Sequence, residues 1–320
     1  MHASPTSRTD TTKLISSAQS VLECVNGAGK NIPLRLFGSA AIAMRCPNSL
    51  YLWQAVDRKA VRDIDFVTMP QYRERIKAAL TTCGYTEVEG SMATNAQYRR
   101  LYFHKADTNF LIELHSAPLM FHHRIPLNGE LLRDSETLTL ADLALTKLQW
   151  GDLCKNMIES NLPSLINRRD ALLQSKSSSH AAELLELESQ IDLLNENTAQ
   201  LLDCCVLFAE HPLATNGGQP GISTNRILSL CKHDWGLWTT LRRNLKALES
   251  FTSKMFSSSD HARDRILERV RQLRILLKNI SETSFKWQVD SAVRKIVCER
   301  CVPIGNPVEE PRRDVWRRES

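Results

Sequence analysis

The chain has 320 residues, 42% of them hydrophobic, with 41 Lys and Arg against 36 Asp and Glu and a net charge of +5. That length suits one large or two ordinary domains with a real core, and the mild, mixed charge permits contact with nucleotides or nucleic acid without arguing for it. No stretch is long and apolar enough to span a membrane and the polar, Ser/Thr-rich start is no signal segment, so a cytoplasmic protein with no membrane partner is expected. Its nine cysteines are then expected to be reduced, with Cys298 and Cys301 as thiols on a helix turn and not a zinc site.

Residues 1–12 read as disordered. Leu14, Ile15, Ala18, Val21 and Leu22 have helical spacing, predicting a helix over Lys13–Val25. Leu34–Phe37 reads as a buried strand ending in Gly38-Ser39 and running into a helix over Ala40–Arg45. Arg62–Val67 is a second strand. Gln71–Cys83 is an amphipathic helix closed by Gly84. Tyr98–Phe103 and Phe110–His115 read as strands joined by a turn-rich link, and Leu140–Trp150 as a helix with Asp142 in its first turn.

Beyond Leu140 nearly everything reads as helical: Ala181–Leu202, Thr224–Cys231, Trp235–Phe251 and Asp260–Ile280, separated by polar loops at Gln174–Ser179 and Asn216–Gly221. The class is α+β. A mixed-sheet domain over 13–150 precedes a helical domain over 151–301, and a Pro-, Glu- and Arg-rich tail over 302–320 is loose.

Side chains alternate on a strand, so Asp63 and Asp65 share one face while Ile64 and Phe66 point into a core. Two like charges on one face repel unless something positive sits between them, and a hard divalent cation is the usual answer. Glu113, an acid at the centre of the apolar strand Phe110–Leu114, is costly unless paired or bound. If its strand lies beside that of Asp63 and Asp65, the three carboxylates converge and are candidate metal ligands. The amides of Gly38-Ser39, at a helix start, are a candidate phosphate cradle.

A strand, Gly-Ser, a helix, Asp-x-Asp on the next strand and a third acid on a later one resembles the nucleotidyltransferase superfamily, with its DNA polymerase β-like fold. The stretch Leu138–Gln149 and the segments Leu207–Leu213 and Asp234–Trp238 further resemble bacterial nucleotidyltransferase-family proteins related to AbiEii-type abortive-infection toxins. The resemblance runs, with interruptions, from about Leu34 to Trp287. It implies Mg2+, as two ions, held by Asp63, Asp65 and Glu113, which are also the catalytic acids. It implies a nucleoside triphosphate held by Gly38, Ser39 and Lys147. The implied reaction moves a nucleoside monophosphate to a hydroxyl of RNA, protein or a small molecule and releases pyrophosphate.

This chain departs from the pattern in three places. The gap from Ser39 to Asp63 is long, with Tyr51-Leu52-Trp53 inserted. The third acid is Glu where Asp is commoner. The charged stretch expected after the helix lysine is matched only by the uncharged Asn197-Thr198-Ala199-Gln200, or by Arg168-Arg169-Asp170. The last two departures favour an alternative, a nucleotidyltransferase-type binding or scaffold module without turnover; a toxin–antitoxin or defence-type partner is a third reading.

Simpler readings stand beside the sharp ones. Glu113 pairs with Arg99 or Arg100 across the hairpin. Lys147, without the resemblance, is a solvated helix lysine. His115, His122 and His123 fit no standard metal spacing, and His122-His123 reads as a partly exposed strand end. Trp235 and Trp238 are core. Arg263, Arg265, Arg269, Arg271 and Arg274 form a solvated face, and Ala181–Leu202 is a packed hairpin helix.

Overall fold

The computed structural model describes residues 10–29, 32–55, 61–88, 100–127, 129–133, 135–150, 162–175, 181–215 and 220–280. The expectations for Cys298 and Cys301, Arg99, the tail from Val302 and most of the two polar loops lie outside these residues.

The architecture is a mixed sheet with flanking helices, followed by a helical half. Helix α1 (Thr11–Gly27) starts at Asp10, whose carboxylate accepts the Lys13 amide at 3.1 Å. That cap draws Thr11 and Thr12 into the helix, which corrects the expected disorder at those two positions. Leu14, Ala18, Val21, Leu22 and Val25 bury its inner face. Cys24 near its end is disulfide-bonded to Cys83, 59 residues on. The expectation of reduced thiols therefore fails for this pair, because α1 packs against the helix that precedes Cys83. Cys46, Cys204, Cys205 and Cys231 are free and buried.

Five strands form the main sheet in the order β1-β2-β5-β4-β3. They are β1 (Leu34–Phe37), β2 (Asp63–Thr68), β3 (Thr86–Glu87), β4 (Leu101–His104) and β5 (Leu111–Ser116). Within this sheet β2 and β5 pair parallel and the other described pairs are antiparallel. Ile64, Phe66, Ile112 and Leu114 are buried on one side of the central pair. Beyond β1 the extended segment around Thr137 covers the sheet edge, with Leu36 and Leu138 exchanging backbone hydrogen bonds at 2.8–3.0 Å with Glu136 and Leu36.

Helix α2 (Gly38–Arg45) follows β1, a short helix α3 (Tyr51–Ala55) occupies the insertion, and α4 (Arg73–Thr82) stops before Gly84, whose φ of +85° suits a residue without a Cβ. Two short strands, β6 (Leu119–Met120) and β7 (Arg124–Ile125), pair antiparallel, so His122 and His123 lie in the turn between them and not at a strand end.

Helix α5 (Leu140–Leu148) is buried along its whole length. Thr139 caps it: the hydroxyl accepts the Asp142 amide at 3.2 Å and donates to the Asp142 carboxylate at 2.7 Å. Asn244 covers its other end by donating to the Leu148 and Trp150 carbonyls at 2.7 and 3.1 Å. Two ionisable side chains inside this helix demand partners. Asp142 accepts from Arg226 Nε at 3.0 Å, and Lys147 is treated with the site below.

There follow α6 (Leu162–Ser175), α7 (Ala181–Glu210), α8 (Thr224–His233), α9 (Trp235–Met255) and α10 (His261–Ile280), with the short parallel pair β8 (Leu213–Ala214) and β9 (Ile222–Ser223) between α7 and α8; α7, α8 and α9 pack on α5, α6 packs on α7, and α10 packs on α7, α8 and α9. The α6–α7 hairpin is as expected, but α7 has 30 residues and runs past Leu202 to Glu210. From Leu201 to Ala209 every side chain is buried, so the helix has no polar face there and its periodicity disappears. One continuous core joins the sheet to these helices.

Arginine use on α10 also differs from a solvated face. Arg265 Nε donates to the Ala209 carbonyl at 3.3 Å, and Arg269 Nη1 to the Phe208 and Ala209 carbonyls at 2.5 and 3.0 Å. These carbonyls end α7 and have no partner within the helix, so a cation there satisfies both hydrogen bonding and the helix dipole. Arg271 and Arg274 pair with Glu249. Trp238 is core as expected: its indole donates to the Leu277 carbonyl at 2.8 Å.

The end of α7 is fastened to the end of α2. Asn48 and Ser49 donate to the Glu210 carboxylate at 2.6 and 2.7 Å, and His211 Nε2 lies 2.9 Å from the Arg45 carbonyl. A carbonyl only accepts, so the imidazole donates through Nε2–H. Burial, aided by the Arg45 and Arg269 charges, lowers the His211 pKa below its ordinary 6.5, outweighing the carbonyl bond and Glu210. The unfolded chain then takes up this proton at higher pH than the folded one, so His211 contributes stability above about pH 6.5 that is lost as pH falls toward the lowered value. His211→Gln keeps a donor but does not titrate. Its melting temperature should fall less steeply than the wild type's below pH 6.5; parallel profiles would refute the assignment.

Candidate metal and phosphate site

The site is built at the β1–α2 turn and on the matching ends of β2 and β5. Phe37 is in register with Asp65 across the antiparallel β1–β2 pair, so the residue that follows β1, Gly38, arrives beside the Asp65 carboxylate. Gly38 has φ of +70°, and a Cβ there would lie 2.1 Å from Asp65 Oδ2. Only glycine permits this approach. On its other side, Asp65 is in register with Glu113 across the parallel β2–β5 pair. Two carboxylates thus stand beside each other on adjacent strands, the pairing on which the expected convergence depended.

His115 completes the group. It lies two residues beyond Glu113 and so on the same face of β5. Its Nε2 lies 3.6 Å from Asp65 Oδ1 and 3.5 Å from Glu113 Oε2. One ligand atom from each of Asp65, Glu113 and His115 falls within 4.8 Å of the others. Glu113 and His115 are buried, and Asp65 is half-buried. The imidazole ring rests edge-on against Phe37 at 5.0 Å, with Phe121 at 6.1 Å, which fixes its orientation. Burial pulls the His115 pKa down, but the facing Asp65 and Glu113 carboxylates outweigh it and leave it raised.

Asp63 stands on the Asp65 face of β2, opposite Leu111, and does not belong to this three-atom cluster. Arg100, just before β4, places Nη1 3.8 Å from Glu113 Oε2, so the cross-hairpin pairing expected from sequence is also present.

Behind the turn lies a second group. Lys147 Nζ is 2.8 Å from Asp203 Oδ2 and donates to Ser39 Oγ at 3.3 Å. The Ser39 hydroxyl donates to the same Asp203 oxygen at 2.7 Å. Asp203 is fully buried and the Lys147 side chain is 8% exposed, so Lys147 is a buried ion-pair partner and not a solvated lysine. The structure therefore brings Gly38 to Asp65 and Ser39 to Lys147, through a residue the sequence reading passed over. Asp203 had a visible signal: it is the lone acid in the apolar run Leu201–Leu207, the anomaly that exposed Glu113.

The donor set fits a divalent cation. Two carboxylate oxygens and an imidazole nitrogen converge, and buried Nε2 has no hydrogen-bond partner. The helix α2 amides beside them can receive phosphate oxygens.

No protein-family model matches the chain, and no curated protein matches it. Among solved structures, the antibiotic-resistance factor ANT(2'')-Ia is 15% identical, covers 58% of this chain and 96% of its own, and gives a TM-score of 0.31. A candidate nucleotidyltransferase from H. pylori is 13% identical, with 84% and 95% covered and a TM-score of 0.32. JHP933 from Helicobacter pylori is 12% identical, with 91% and 99% covered and a TM-score of 0.27. Likeness at this level carries no argument, and the functional reading rests on the site's own geometry. No described helix is long and apolar enough to cross a membrane.

Proposed function

We propose that the chain is a divalent-cation-dependent nucleotidyltransferase, moving a nucleoside monophosphate from a triphosphate to a hydroxyl of RNA, protein or a small molecule. The observation that carries this is the register of Asp65 with Glu113 beside the Gly38 turn. It gives a carboxylate pair and a helix N-terminus within one small space, as phosphoryl chemistry needs. Asp65 and Glu113 would hold a cation, with Asp63 on the same face toward the triphosphate. Such a cation, when bound, supplies charge neutralisation for the triphosphate and acidifies the attacking hydroxyl.

The remaining work falls to the chain's own groups. The α2 amides hold phosphate oxygens and keep the α-phosphate in line. Glu113 takes the proton of the acceptor hydroxyl as its oxygen bonds to the α-phosphorus. The bond to the β-phosphate oxygen breaks, and pyrophosphate leaves with its electron pair. Lys147, paired with Asp203, sits behind Ser39 and positions its hydroxyl.

Purified protein incubated with α-labelled triphosphates, divalent cation and cell extract should transfer label to one extract component, and Asp65→Asn should reduce the rate at least about 100-fold. No labelling by the wild type would sink the reading. A second reading, a nucleotide-binding or scaffold module without turnover, is favoured by one observation: Ser39 and Lys147 are both engaged by Asp203. Calorimetry showing tight cation–nucleotide binding without pyrophosphate release would select it. A role as a defence-type partner would rest on the same binding activity.

A further inference from the structure

The nucleotidyltransferase reading asks only for carboxylates and a hard cation such as Mg2+; His115 goes beyond it. Its side chain is 8% exposed, and its Nε2 points between two carboxylates. Nε2 is nearly equidistant from Asp65 Oδ1 and Glu113 Oε2, at 3.6 and 3.5 Å, and makes no hydrogen bond. Ligand atoms each about 2.1 Å from one ion lie roughly 3.0 Å apart at an octahedral right angle and roughly 3.4 Å apart in a tetrahedral site. The two separations lie just beyond that range, so a small closure would bring all three atoms onto one cation.

We infer that His115 is a nitrogen ligand of a mixed two-carboxylate, one-imidazole site, which selects a first-row transition cation over Mg2+. Magnesium takes oxygen donors and gives up its water reluctantly, so a fixed imidazole adds little to its binding. First-row transition ions accept imidazole readily, and their affinity for nitrogen-containing sites rises along the series from Mn2+. The edge-on Phe37 ring orients the imidazole, which lowers the ordering cost when the ion binds. Metal binding needs no assumption about turnover; only the site's role as a reaction centre rests on the function proposed above.

The test uses the full chain stripped with chelator and titrated calorimetrically with MnCl2 or MgCl2. Mn2+ should bind at least about tenfold more tightly than Mg2+. Partners in the outer shell of metal sites are worth about 10–100-fold, so loss of a direct ligand in His115→Asn should weaken Mn2+ by about 100-fold while changing Mg2+ little. Equal affinities for the two ions, or unchanged Mn2+ binding in the variant, would overturn the inference. Should His115→Asn not fold, pulsed electron paramagnetic resonance on Mn2+-loaded wild type decides alone. A directly bound nitrogen-14 coupling supports His115 ligation, and its absence refutes it. Nitrogen coupling without nucleotide transfer removes the enzymatic reading and leaves the ligand assignment standing; transfer without the coupling does the reverse.

Discussion

Asp203→Ala should destabilise the protein by about 3–5 kcal/mol, the cost of leaving one member of a buried ion pair alone. Lys147 Nζ sits 2.8 Å from the Asp203 carboxylate, on a side chain only 8% exposed, and the Ser39 hydroxyl donates to the same oxygen. Without Asp203 the buried Lys147 charge loses its counter-ion, and the Ser39 hydroxyl loses the carboxylate it donates to. Urea unfolding should show a lower midpoint with an unchanged slope. The double variant Asp203→Leu with Lys147→Met should recover most of the loss, since an apolar pair of similar volume often matches a buried ion pair in stability. A cost below about 1 kcal/mol for Asp203→Ala would mean that water or another group reaches Lys147 and that the pair does not fasten α7 to α5.

The same residues show where sequence reading succeeds and stops. Leu34–Phe37, the Gly-Ser turn and the Asp63–Phe66 alternation were legible because strand period and turn chemistry are local properties. Glu113 was legible as an acid placed where an apolar residue belongs. Its register with Asp65 was not, because strand pairing across nearly fifty positions leaves no local trace. His115 was weighed with His122 and His123 by spacing along the chain, whereas its partners come from two strands. Its position two residues from Glu113 on a strand was the available clue. Asp203 was missed because helix periodicity fades where a helix enters the core on all sides, so α7 seemed to end at Leu202. The Cys24–Cys83 bond was hidden for a related reason: it depends on α1 and α4 packing together, which no spacing encodes.

What joins the two groups is α2. Its first residue contacts Asp65, its second binds Asp203, and its last carbonyl accepts from His211. A displacement of that helix would therefore be felt at the cation cluster and at the α5–α7 ion pair together. A phosphate bound at the α2 N-terminus, as proposed above, would compete with Asp203 for Ser39 and Lys147.

Gly38→Ala is the substitution to which this arrangement is most sensitive. A Cβ on residue 38 would lie 2.1 Å from Asp65 Oδ2 and 3.1 Å from its carboxyl carbon, and the backbone holds φ of +70°. The conformational strain alone costs about 1–2 kcal/mol for a residue with a Cβ. The nearest atom is the tip of the Asp65 side chain, so the overlap is relieved by rotating that carboxylate away from Glu113 and His115. Divalent-cation affinity should therefore drop by about 100-fold, as on loss of a ligand, together with a fall in melting temperature. Asp65→Ala separates the two effects, because it should lose the cation without the strain. In the double variant Gly38→Ala with Asp65→Ala the clash has no partner, so its stability should exceed that of Gly38→Ala, a departure from additivity expected only when two residues touch. Cation binding in Gly38→Ala equal to the wild type's would show that the turn does not set the position of Asp65.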